Sequence, residues 1–132
     1  MVTFSAPSLA QIEHLALEAR AHLPDQFAEA ALRVSIHVAE IPDARVLADL
    51  DVADSYGLTG AYVGVPLAQK TASDQQMGTD AIWLFRRPIL DEYSVRGDVT
   101  LSEFVTHIVV REFAHHFGWS TADVSAIDHW WQ

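Results

Sequence analysis

Leu9, Ile12, Ala16, Ala19 and Leu23 recur at three- and four-residue spacing, the apolar stripe of an amphipathic helix. Ser8 and Gln11 open it as a capping box, each side chain answering a backbone N–H that the first turn leaves free. Glu13, Glu18 and Arg20 fall off the stripe and are expected to face water. Pro24 interrupts the pattern but suits a helix's first position. A second short helix is therefore predicted over residues 24–32, with Phe27 and Leu32 turned inward. The period then drops to two. Residues 34–40 alternate apolar and polar as a half-buried strand does, and Pro42 ends the run. Residues 43–53 carry Val46, Leu47 and Leu50 and predict a turn or two of helix. Gly57, Gly60 and Gly64 punctuate the next stretch, where residues 61–65 read as a second strand stopped by Pro66. The polar run 68–80 is read as a flexible loop, and the apolar run 81–85 as a third strand. A short helix around residues 89–93 and a turn at Gly97 follow Arg86, Arg87 and Pro88.

Thr100 and Glu103 form a second capping box and open the longest helix, which runs to about Phe117 and stops at Gly118. Ser120 and Asp123 form a third and open a terminal helix ending in Trp130 and Trp131. No repeat, low-complexity tract or dividing linker interrupts residues 1–132, so one domain is expected. The fold class is α+β: N-terminal helices, a small mixed sheet, then two helices.

With 132 residues, half of them hydrophobic, the chain is long enough for a proper core. A net charge of -10 argues against nucleic acid and against anionic membrane surfaces as partners. The absence of cysteine excludes disulfides, a thiolate zinc cluster and a cysteine nucleophile. The first residues show neither a basic region nor the apolar run of an export signal, and no segment approaches the roughly 20 apolar residues of a membrane span. A cytoplasmic protein is the expectation, with a peptide or another protein as partner.

The chemistry concentrates where the apolar run 108–110 leads into Arg111, Glu112, His115 and Gly118. Four ordered blocks carry a resemblance: Leu23-Pro-Asp-Gln-Phe27 with Val34-Ser-Ile-His-Val38; Gly64-Val-Pro-Leu67; Ile82-Trp-Leu-Phe-Arg-Arg-Pro-Ile89; and the segment from Glu112 to Gly118. Together they resemble the small bacterial family of minimal zincin-like metallopeptidases, whose site follows H-E-x-x-H-x-x-G-x-x-D. The resemblance implies a zincin-like fold with a C-terminal active-site helix. It makes Glu112 the general base, His115 the second ligand and Gly118 the motif glycine. The first ligand position holds Arg111 and the third holds Thr121, so two of the three expected ligands are substituted.

Two ligands four residues apart lie on one helix face, about 6 Å apart along the axis, and both reach one ion. A hydrolytic zinc needs three protein ligands and an open position for water, which the neighbouring glutamate deprotonates. Arginine stays protonated and cannot coordinate. The Arg111 head is therefore expected in the vacated metal position, paired with Glu112 or Asp123. His107, eight residues before His115, stands roughly 12 Å away along the axis, and His116 points about 100° aside. Asp123 is the best substitute acid, though the capping box claims it; Asp128 and His129 stand further along.

His115 without a metal is expected as an inner, hydrogen-bonded histidine, and Glu112 as a helix carboxylate paired with Arg111 or water. His14, His22 and His37 are expected on the surface, Arg86 and Arg87 as a strand-end pair bonded to acid or water, and Trp119 in packing. Two functions follow. Ligand chemistry favours a catalytically silent pseudo-peptidase acting as a binding or structural module, with no cofactor. The other is a metal-dependent peptidase with a rebuilt zinc site at His115 and Glu112 as base.

Overall fold

A computed structural model describes residues 6–49, 51–64 and 80–127. Helix α1 spans Leu9–Ala21 behind the expected cap: Gln11 N–H donates to Ser8 Oγ at 3.1 Å, and Ser8 N–H to Gln11 Oε1 at 2.6 Å. Ile12, Ala16, Ala19 and Leu23 are buried, as their spacing demands. Arg20 departs from expectation. It is half-buried, and its Nη1 donates to the Val34 carbonyl at 3.0 Å, tying the end of α1 to the start of the sheet. Helix α2 is Asp25–Ala31. Phe27 turns inward onto Phe117 and Trp119, but Leu32 is 67% exposed. The helix stops at Ala31 and the chain turns through Leu32 and Arg33, so the inward position falls on Val34 instead.

Strands β1 (Ser35–Ala39), β2 (Gly60–Val63) and β3 (Ala81–Phe85) form a mixed sheet in the order β1-β3-β2. β1 runs parallel to β3, with Ile36 opposite Ile82 and Val38 opposite Leu84. β2 runs antiparallel to β3, with Gly60 opposite Leu84 and Tyr62 opposite Ile82. β3 lies between the other two strands and is buried at every position but half-buried Trp83, which leaves its unbroken apolar sequence no polar side to alternate with. Between β1 and β2 lie α3 (Ala44–Asp49) and a single 3-10 turn at Ser55–Gly57.

Helix α4 springs directly from β3 and spans Arg86–Arg96, longer than the stretch around residues 89–93 that was expected. Pro88 sits in its first turn, where a missing N–H breaks no intrahelical bond, and left-handed Gly97 (φ 67°) closes it. Arg86 is bonded within the fold, donating to Glu40 Oε1 at 3.1 Å and to the Pro7 carbonyl at 2.7 Å, while Arg87 is exposed.

Helix α5, Leu101–Phe117, carries the predicted Thr100–Glu103 capping box and ends at Gly118, whose N–H donates to the Ala114 carbonyl at 2.8 Å. Phe104, Val105, Ile108, Val109 and Phe113 pack into one cluster with Ile12, Ala16, Ile82 and Leu84. Each fully buried large apolar side chain in this interface of α1, α5 and β3 contributes roughly 2 kcal/mol. Helix α6, Thr121–Ile127, follows. Asp128, His129, Trp130 and Trp131 lie outside the described residues, as do Leu50, Val65, Pro66 and all of the run 68–80 except buried Asp80. No helix among the described residues is long and apolar enough to cross a membrane. The architecture is α+β, with α1 and α5 packed together against the core face of the sheet.

Candidate functional site

β2 and α5 come closest at Gly60. A Cβ there would stand 2.8 Å from Ile108 Cγ2 and 3.3 Å from the Trp83 carbonyl oxygen, so the missing side chain lets the strand press onto the helix. Beside this contact opens a pocket of about 440 Å³. Gly60, Ala61 and Tyr62 form one wall, Arg111, Glu112 and His115 another, and Val52 and Leu58 supply apolar surface. Side chains of consecutive strand residues alternate between faces. Because three consecutive residues of β2 line the pocket, it runs along the strand's edge and not under one face. β3 pairs with the opposite edge, and among the described residues no strand pairs on the pocket side.

The helical repeat sorts the polar residues of α5 into two rows. Ile108, Glu112 and His116 form the row against β2. Arg111 and His115 form the next, at the pocket's mouth. Glu112 is 5% exposed. Burial pushes its carboxyl above the usual carboxylate range, and Arg111, then His115, pull against that rise without cancelling it. Arg111 Nε lies 3.6 Å from Glu112 Oε2, and its Nη2 lies 3.4 Å from Thr59 Oγ1. Both separations exceed the usual 2.7–3.2 Å of a hydrogen bond. The arginine side chain is 48% exposed, so it leans on Glu112 without being locked there. Of the two acids expected to pair with Arg111, Glu112 does so.

His115 is not the inner histidine that was expected. Its side chain is 64% exposed, with Nε2 at 3.9 Å from Glu112 Oε1. The inner position belongs to its neighbour, because His116 continues the row that faces the sheet. His116 is 3% exposed and its Nδ1 shares a hydrogen bond of 2.7 Å with the Tyr62 hydroxyl, which donates to Asp80 Oδ1 at 3.1 Å. Burial, then the charge of Asp80, raises the Tyr62 hydroxyl well above its ordinary pKa and keeps it a neutral donor. Tyr62 and Asp80 were missed in the sequence. The period-two alternation from Gly60 does place Tyr62 on the helix-facing side, whereas Asp80 stood at the end of a polar run with no such signal.

Asp123 is claimed by its cap. Ser120 N–H donates to Asp123 Oδ2 at 2.9 Å, Asp123 N–H donates to Ser120 Oγ at 3.1 Å, and these bonds hold its carboxyl below the usual range. It borders a separate pocket of about 300 Å³ with Pro24, Phe27 and Trp119. Thr121 is an exposed first residue of α6. His107 is buried in the helix interior, its pKa lowered to about 4 by burial, then by Arg111 and Arg96. His14, His22 and His37 are exposed as expected, His37 stacking on Trp83.

Among the described residues, no group of three His, Cys, Asp or Glu side chains is placed to hold a metal ion. A hydrolytic zinc needs three such donors, and the guanidinium beside Glu112 supplies none. The described donor set does not fit zinc.

A glutamate and a histidine on one long helix, facing the edge strand of a small mixed sheet, is the layout of a zincin. A family model described as zincin-like metallopeptidase matches residues 31–131, from the end of α2 through α6, and the chain belongs to that family. No curated protein matches the chain.

Proposed function

We propose that this chain is a catalytically silent member of its family, which binds an extended peptide in the pocket beside β2 and does not cut it. The observation that carries the reading is Arg111. It stands where the family resemblance puts the first zinc-ligating histidine, and its guanidinium lies 3.6 Å from the glutamate that would serve as base. A fixed monocation there repels a divalent ion and offers no lone pair to it. Glu112 is thereby answered by Arg111, and no water is activated. The edge of β2 on which no described strand pairs supports the binding half of the reading, because zincins take extended peptide by adding it to a sheet edge above the active-site helix.

The test is metal uptake together with hydrolysis. Protein equilibrated with zinc and then dialysed is expected to retain no stoichiometric ion by elemental analysis, and to leave a mixed fluorogenic peptide pool intact. The double change Arg111→His with Thr121→Asp is expected to restore zinc uptake. One retained zinc per unaltered chain, with cleavage abolished by Glu112→Gln, would establish instead a peptidase with a site rebuilt around His115.

A further inference from the structure

We infer that the pocket captures the C-terminal carboxylate of an extended peptide, with the peptide's main chain added antiparallel to β2 and its terminal carboxylate on Arg111. This rests on the silent-binding reading and names the ligand chemistry of the same site.

Direction comes from the sheet. Antiparallel pairing is slightly more stable per residue than parallel pairing, so an added strand favours running against β2. Its C-terminal end then lies beside the N-terminal end of β2, at Gly60. Thr59 immediately precedes Gly60, and Arg111 Nη2 lies 3.4 Å from the Thr59 hydroxyl. The arginine head therefore stands where the added strand's last residue arrives.

Charge comes from the same side chain. The protein as a whole carries a net charge of -10, which gives a carboxylate no general reason to approach. Among the described residues lining the pocket, Arg111 is the fixed cation, with exposed His115 beside it as a second N–H donor. The Nε edge of the guanidinium faces Glu112 and one Nη2 hydrogen reaches Thr59 at a long distance; the remaining Nη hydrogens meet no partner among the described residues. A carboxylate matches that free fork with two parallel hydrogen bonds, a geometry that an amide or an ester cannot reproduce with the same charge. Apolar Val52 and Leu58 in the pocket wall offer contact to the last side chains.

Randomised pentapeptides, made once with a free C-terminal carboxylate and once as C-terminal amides, are equilibrated with the immobilised full-length protein, and bound species are read by mass spectrometry. Free acids are expected to be enriched about tenfold or more over the matching amides, the scale of a charge-assisted hydrogen bond. The preference is expected to disappear in Arg111→Gln and to survive weakened in Arg111→Lys. Equal retention of acids and amides, retention of neither, or retention of amides through internal Asp or Glu side chains overturns the proposal. If a variant fails to fold, the acid-to-amide ratio on the unaltered protein still decides it. Cleaved peptides in the bound fraction would refute catalytic silence, and the acid-to-amide ratio is scored independently of them.

Discussion

Arg111→Gln tests whether the guanidinium answers the buried charge of Glu112. Without it, among the described residues, a carboxylate at 5% exposure keeps the His115 ring nitrogen, 3.9 Å away, as its nearby partner. Breaking a fully buried ion pair costs about 3–5 kcal/mol, and breaking an exposed one about 0–1 kcal/mol. This pair is mixed, with the Glu112 side chain 6% exposed, Arg111 48% exposed, and 3.6 Å between charged atoms. Solvent screening on the arginine side brings the expected loss at neutral pH to about 1 kcal/mol. The loss also has a pH signature. Glu112 has a raised pKa in the folded state, so its contribution is fully present at pH below the unfolded value and is lost as pH rises through the folded value. Removing Arg111 raises the folded value further and deepens the penalty at neutral pH. Where Glu112 is protonated in both states, the penalty vanishes. His107 acts in the same direction: Arg111 helps to depress it, so its removal eases His107 protonation in acid. Urea denaturation is therefore expected to show a loss near 1 kcal/mol at about pH 7 and almost none at about pH 4. In a Glu112→Gln background the same substitution is expected to cost almost nothing at either pH. Equal losses at both pH values, or a loss that persists in that background, would refute the pairing.

Gly60→Ala is expected to destabilise by about 1–3 kcal/mol, because the new methyl meets Ile108 Cγ2 at 2.8 Å with the Trp83 backbone behind it. An unchanged denaturation midpoint would deny the close approach of β2 to α5. Tyr62→Phe removes the hydroxyl between Asp80 and His116 and is expected to cost about 1–2 kcal/mol, read in the same assay. His107 has a depressed pKa of about 4, so its contribution is present above the unfolded value near 6.5 and is lost as pH falls through that window. His107→Gln is expected to flatten the stability profile between about pH 6.5 and pH 4, and an unaltered slope there would contradict the burial of that ring.

The elements that local chemistry specifies were legible in the sequence. The three capping boxes marked the starts of α1, α5 and α6, because a Ser or Thr with an acid or amide three residues on is a local device that needs no tertiary help. Gly118 marked the end of α5 for an equally local reason, a left-handed φ of 73°. Strand order was not legible. That β3 is central, and that β2 presents its edge to the pocket, depends on pairings between residues far apart in the chain. The misplacement of Leu32 has the same origin: helical spacing extrapolated one residue past Ala31, where the chain had already turned toward β1. In the site, the row containing Arg111 and His115 was readable as a helix face. Which of the adjacent histidines lies inside was not, because the answer is set by the direction from which β2 approaches. The partnership of Tyr62, Asp80 and His116 joins three separate elements and has no short-range signal.

A buried carboxylate on α5 places an electrostatic demand on this fold whatever occupies the pocket. In the zinc-binding pattern that the family resemblance describes, an ion held by three ligands meets that demand. Here Arg111, the residue next to Glu112, meets part of it from the helix itself, and the charge is covalently attached. A guanidinium polarises no scissile carbonyl through a vacant coordination site and acidifies no water, yet it keeps a strong, directional attraction for oxygen acceptors. On the proposal of a silent binder, the step that needs a Lewis acid is gone and what depends on shape and charge remains: the close contact at Gly60, the edge of β2 on which no described strand pairs, and the Arg111 cation beside Thr59. On that proposal binding and cleavage draw on different parts of the site, so one can be lost without the other.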